Sequence, residues 1–262
     1  MDKATWAGVL VALGGIVAGL LLEGGNLSQV LQPTAAMIVF GGTAGAVLIQ
    51  YPWTIVAGAV RRLMGVFFQP SRDPEAILRE LVKYAKQARQ EGIVALDREL
   101  KKIRDPFLKK TLMLAVDGVE PQELRDIAEL DMDNHMEREE RFSSVFESAG
   151  GFSPTIGIIG AVLGLIQVMQ HLDKIDEVGK GIAVAFVATI YGVGAANLFL
   201  LPAAGKLRIR THEEQVLRQM TLEGIISILE GINPRMLEIK LRGFLRDAAA
   251  EDAPKAKARA AS

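Results

Sequence analysis

Phe152-Ser153-Pro154-Thr155-Ile156-Gly157-Ile158-Ile159-Gly160-Ala161-Val162-Leu163-Gly164-Leu165-Ile166-Gln167-Val168-Met169 contains no Asp, Glu, Lys or Arg. At about 1.5 Å of rise per residue, a helix of this length reaches most of the way across a hydrocarbon core about 30 Å thick. Three further uncharged runs accompany it, over 4–22, 33–60 and 181–204. Half of the 262 residues are apolar, and nearly all the charged ones lie between or after these runs. Such segregation predicts an all-α integral membrane protein with four transmembrane helices.

The expected spans cover about 4–22, 33–56, 152–170 and 181–204. A signal peptide is the competing reading of the first, but only Lys3 precedes it and Glu23-Gly24-Gly25-Asn26 follows. In the second run Gln50 is the most polar residue and Trp53 lies near one end, so its extra length suggests tilt or last turns at the interface. Arg61-Arg62 stops it. Lys and Arg number 16 over 61–141, 11 from Lys206 onward and one before the first span, against none over 23–32 and two over 171–180. The positive-inside rule therefore places both termini and both large hydrophilic segments in the cytoplasm.

The expected organisation is a transmembrane hairpin over 1–60, a cytoplasmic helical domain over 61–151, a second hairpin over 152–204 and a cytoplasmic helical tail over 205–247. Asp73-Pro74, Asp105-Pro106 and Glu120-Pro121 each put an acid before a proline, the pattern of a helix with Pro at its first position. Ile77, Leu81, Tyr84 and Ala88 recur at helical spacing, and Ile127, Leu130 and Asn134 do so less cleanly. Val216, Met220, Ile225, Ile228 and Leu229 repeat the pattern before Gly231, and Asn233-Pro234 opens a last amphipathic helix. Residues 248–262, rich in Ala, Lys and Arg without apolar periodicity, read as disordered.

A net charge of −1 argues against a nucleic-acid partner, and the absence of cysteine excludes disulfides, Cys-ligated metal and thiol catalysis. No phosphate-binding loop, HExxH or metal-ligand spacing occurs, so no enzyme, metal or cofactor is implied. Gly157, Gly160, Ala161 and Gly164 put small residues on one side of the third span, and Ala185, Ala188, Thr189, Gly192 and Ala196 do so on the fourth. Close helix packing is the simplest reading. Pro154 and Pro202 read either as ordinary helix-end prolines or as functional ones. Thr189 either bonds back to a carbonyl one turn earlier or touches an ion path. No span holds a carboxylate, so a proton or sodium conductor built on this chain needs a partner to supply the titrating group. The charged stretch from Arg89 to Glu99, broken by Gly92, reads as a solvated surface or a docking site for a charged protein.

Phe40-Gly41-Gly42-Thr43 through Tyr51-Pro52, Pro154 with its glycine-rich span, Ala188-Thr189-Ile190-Tyr191-Gly192 with Asn197 and Pro202, and Gly231-Ile232-Asn233-Pro234-Arg235 together resemble the motility protein A family (MotA/PomA) over about residues 5–246. The resemblance implies a flagellar stator subunit of the bacterial inner membrane. In that family several A subunits, thought to be five, encircle B subunits of MotB type whose transmembrane aspartate takes up the ion. Pro154 and Pro202 match the coupling prolines, and Arg89 matches the arginine that faces the rotor switch protein. Asp97 stands where the family usually has glutamate, and Arg98 departs from an acid found in some relatives. Ala161 and Ala188 replace threonines of sodium-type relatives, leaving Thr189 as the one hydroxyl of that trio. A dehydrated sodium ion needs several oxygen ligands, so the comparison points to protons. The ExbB and TolQ subunits are the nearest rival, set apart by three spans, and a non-conducting membrane scaffold is a further alternative.

Overall fold

The structure is a computed structural model that describes residues 3–68 and 73–245. Every regular element among the described residues is helical. The chain forms two compact units, one drawn from 1–70 and 139–208, the other from 71–138 and 209–262. Residues 248–262, expected to be disordered, lie outside the described residues.

The first unit is apolar. Helix α1 (Lys3–Leu22) is followed by α2 (Pro33–Ala36), a π turn over Met37–Gly41 and α3 (Gly42–Gln50), which continue one another as a single span. Helix α4 is Trp53–Phe68. The polar-unit helices α5 (Pro74–Glu91), α6 (Asp97–Leu100) and α7 (Pro106–Val116) come next in sequence, and α8 (Pro121–Gln170) then supplies the third span. Helix α9 (Ile175–Gly194), a π turn over Ala195–Leu200 and α10 (Leu201–Leu229) run on as the fourth. Four helices are thus long and apolar enough to cross a membrane.

Two features of the apolar unit differ from the expectation. The second run is not one tilted helix to residue 56 or 60, because the helix ends at Gln50. Pro52 forces the residue before it out of helical geometry, and Tyr51 is extended at φ −122°, ψ 138°. The units also divide at 70/71, 138/139 and 208/209 rather than at 60/61, 151/152 and 204/205. Helices α4, α8 and α10 continue past the apolar runs, and their next turns still pack with the spans. Val66, Val145, Phe146 and Leu207 share one buried cluster with Val47 and Ala149. Arg62 and Glu139 sit in that extension with Arg62 Nε 2.5 Å from a Glu139 oxygen. Glu139 is buried, and an ion pair of this kind is costly to break from one side.

The second unit has an ordinary soluble-type core. Asp73 caps α5 by accepting from the Glu75 amide, and Asp105 caps α7 by accepting from the amides of Phe107 and Leu108. These satisfy amides that a helix start leaves unpaired. The Asn233 side chain does the same for Arg235 ahead of a helix over 234–245. Leu81, Tyr84, Leu112, Leu124, Met220 and Ile225 meet in one fully buried cluster. Each side chain of this size contributes about 1.5–3 kcal/mol by burial.

Candidate functional site

Two places carry the features singled out in the sequence, one in each unit. In the apolar unit α8 and α9 approach backbone to backbone. A Cβ on Gly157 would lie 2.9 Å from the Ala188 carbonyl oxygen, and one on Gly164 would lie 2.8 Å from that of Gly181. Opposite Gly160 the Ala188 methyl fills the groove, 2.8 Å from where a Cβ would stand. The small residues therefore serve close packing.

This packing divides the proposed ion-path residues. Ala188 is fully buried within the chain, Ala161 is half-buried, and Thr189 is turned outward. The structure does not gather the three on one surface. Thr189 Oγ1 donates to the Ala185 carbonyl at 3.2 Å, the back-bond that a lone hydroxyl in an apolar helix is expected to make.

Neither proline ends a helix. Pro154 is interior to the long helix α8, and Pro202 stands in the first turn of α10, which continues the preceding π turn without a break. The helix-end reading is thus corrected. Neighbouring helices and adjustments of the turn can absorb a proline inside a span. At Pro202 the ring would crowd the Leu198 carbonyl, and the wider π turn just before it relieves that conflict. At Pro154 the helix runs on with Gly150 and Gly151 in the turn before it and Gly192 of α9 against its Cα.

One residue of this unit gained no role from the sequence. Tyr191 donates its phenol to the Val30 carbonyl at 2.6 Å, accepts from the Gln32 amide at 3.3 Å and stacks on Phe40. It pins the turn before the second span to α9. A tyrosine within an apolar run must find a partner for its hydroxyl, which is the signal that was available.

In the polar unit, α5 ends at Glu91 and Gly92 reverses the chain at φ 84°, a conformation suited to glycine. A short turn over Ile93–Leu96 leads into α6. Arg89 in the last turn of α5 and Asp97 at the start of α6 are both exposed, as is Val94 between them. Neither Arg89 nor Asp97 has an ion-pair partner among the described residues. The sequence reading missed Glu99, which turns inward and takes bonds from Lys102 at 2.8 Å and Lys83 at 3.1 Å. These two ammoniums hold its carboxyl below the usual carboxylate range and tie α5 to α6. Its position between the apolar Leu96 and Leu100 was the available signal. No group of His, Cys, Asp or Glu among the described residues could hold a metal ion.

Residues 6–92 match the family model described as motility protein A N-terminal, and residues 99–220 match the MotA/TolQ/ExbB proton channel family. The motility protein A of Bacillus subtilis is 35% identical over 94% of this chain and 91% of its own length. The chemotaxis protein PomA of Vibrio alginolyticus is 29% identical over 94% of this chain and 95% of its own. Among solved structures, C. jejuni MotAB superposes with a TM-score of 0.89 at 31% identity, covering 93% of this chain and 96% of that one. The flagellar MotAB stator complex of Bacillus subtilis gives 0.85 at 32% identity, covering 92% and 96%.

Proposed function

Since the chain belongs to the motility protein A family and is a stator subunit of the flagellar motor, we propose that it forms with a B-type partner a channel in which proton flow drives torque on the rotor. One observation carries the partner: the four uncharged runs offer a close-packed scaffold with the outward hydroxyl of Thr189 but no carboxylate. A proton conductor requires such a group, so an aspartate on the partner's helix supplies it. The MotAB complexes that resemble this chain support a B-type partner.

Several copies of the chain, five by family resemblance, surround the partner in the bacterial inner membrane with both termini in the cytoplasm. Arg89 and Asp97 meet the rotor switch protein, for which their exposure and free charges suit them. Pro154 and Pro202 couple ion passage to movement of the helices that contain them. Ala161 and Ala188 supply no oxygen, which supports protons over sodium. The shared MotA/TolQ/ExbB family model keeps an ExbB-like role as the second reading, against which the separate match over 6–92 and the four spans weigh.

The test is co-purification of the chain with its B-type partner, followed by ion flux in vesicles. Flux above the partner-free control is expected, and Thr189→Ala should cripple it without preventing assembly. Swimming should depend on the proton-motive force and persist without sodium at constant ionic strength. Motility that tracks external sodium and survives a protonophore overturns the proton assignment; absence of flux favours a scaffold.

A further inference from the structure

The spans of the apolar unit carry inward stripes at one-turn spacing. Val39, Thr43 and Val47 form one, Ala149, Ser153 and Gly157 another on α8, and Ala188, Gly192 and Ala196 a third. All are buried. The flanking residues go to two separate apolar clusters, Val39 and Ala188 in one, Val47 and Ala149 in the other. Thr43, Ser153 and Gly192 therefore share the level between the clusters. Two further contacts run in the same antiparallel sense: Tyr51 Oη lies 2.9 Å from Ser148 Oγ, and a Cβ on Gly42 would meet Ile156.

This level is polar where its neighbours are not. Thr43 and Ser153 are 7% and 1% exposed, and neither hydroxyl has a hydrogen-bond partner among the described residues. Thr155 and Thr189 bond back to their own helix, but these two do not. Gly192 presses its backbone against the Ser153 carbonyl and offers no side chain as a partner. Next to Ser153, Pro154 has no amide to give the Gly150 carbonyl one turn back. Buried hydroxyls are normally satisfied, by protein or by ordered water.

We propose that Thr43 Oγ1 and Ser153 Oγ hold a buried water molecule between them, with the Gly150 carbonyl as its third partner. Two hydroxyls and one carbonyl give the water the partner number usual for internal solvent. The site forms a hydrated level at the proline break of α8, inside the chain. It is separate from the outward hydroxyl of Thr189 and does not depend on which ion is conducted.

The full-length chain, in the membrane assembly in which it is isolated, would be imaged at a resolution that shows ordered water. Thr43→Val, Ser153→Ala and the double variant would be melted beside the parent, and Thr43→Ser imaged beside it. The parent map should show density within hydrogen-bond reach of both hydroxyls. Each single variant should melt about 2–4 °C lower. The double variant should melt no lower than the worse single one, because both changes empty one shared site. Thr43→Ser, which keeps the hydroxyl, should retain the density between the two side chains. A direct bond between Thr43 and Ser153 with no density between them overturns the proposal, as do losses that add in the double variant. Should Ser153→Ala fail to assemble, the parent map decides alone.

Discussion

Gly192 and Gly157 meet backbone to backbone: a Cβ built on Gly192 would stand 3.1 Å from the Gly157 Cα and 2.6 Å from the Ser153 carbonyl oxygen. None of the obstructing atoms belongs to a flexible side-chain tip, so nothing can turn aside. Helices α8 and α9 would have to separate.

Gly192→Ala is accordingly expected to destabilise the chain by about 1–3 kcal/mol through overpacking. Gly194→Ala serves as the control, since a Cβ there meets nothing within 4 Å. It removes a helical glycine and should be neutral or slightly stabilising. Thermal melting of the purified variants reads the difference. Equal melting of the two would mean that the helices are not held at backbone contact.

A second expectation concerns acid. Glu99 has a folded pKa below its ordinary value of 4.5 because Lys102 and Lys83 bond its charged form. The depressed carboxylate contributes stability that is fully present above that ordinary value. This stability fades as pH falls through the lowered folded value. Glu99→Gln should therefore lower the denaturation midpoint at neutral pH, and the gap to the parent should narrow on acidification. A gap that stays constant across that window would show that the ion pairs contribute nothing.

The four spans, the capped helix starts at Pro74 and Pro106 and the small-residue faces were all legible in the sequence because each follows from local chemistry. Uncharged length announces a span, and an acid before proline announces a cap. The break at Tyr51-Pro52 was legible too, yet the uncharged run continued through it and masked a rule that the proline alone dictates. Pro154 and Pro202 misled in the opposite sense. In water a proline usually ends a helix, but here α8 runs through Pro154 and a π turn leads into Pro202 without a break. The partners of Glu99 and Tyr191 and the inward turn of Ala188 were not legible, because they depend on contacts with residues further along the chain.

At the charged turn the expectation is functional rather than thermodynamic. Arg89 is exposed and engages no carboxylate among the described residues, so reversing it to Glu breaks nothing within the polar unit. Surface changes of this kind usually cost little stability. Arg89→Glu should reduce torque and leave ion leak unchanged in an assembly whose partner's plug is deleted. Loss of leak with normal membrane levels would place the residue in the conduction path.

Pro154 offers the sharpest separation of packing from mechanism. Within α8 it denies the Gly150 carbonyl an amide, and its Cα lies 3.2 Å from where a Gly192 Cβ would stand. Pro154→Leu restores the amide and removes the ring. The helix should thereby gain up to about 3 kcal/mol of local regularity, offset by the larger side chain in a tight contact. Insertion and membrane level should persist, since leucine suits a span at least as well. If the proline lets α8 bend during each ion passage, swimming should fall well below that of Ile158→Leu, a volume-conserving change at an exposed position one turn away. Swimming speed at matched membrane levels is the measurement. Equal speeds in the two variants would leave Pro154 as a packing residue, and its role in coupling would be withdrawn.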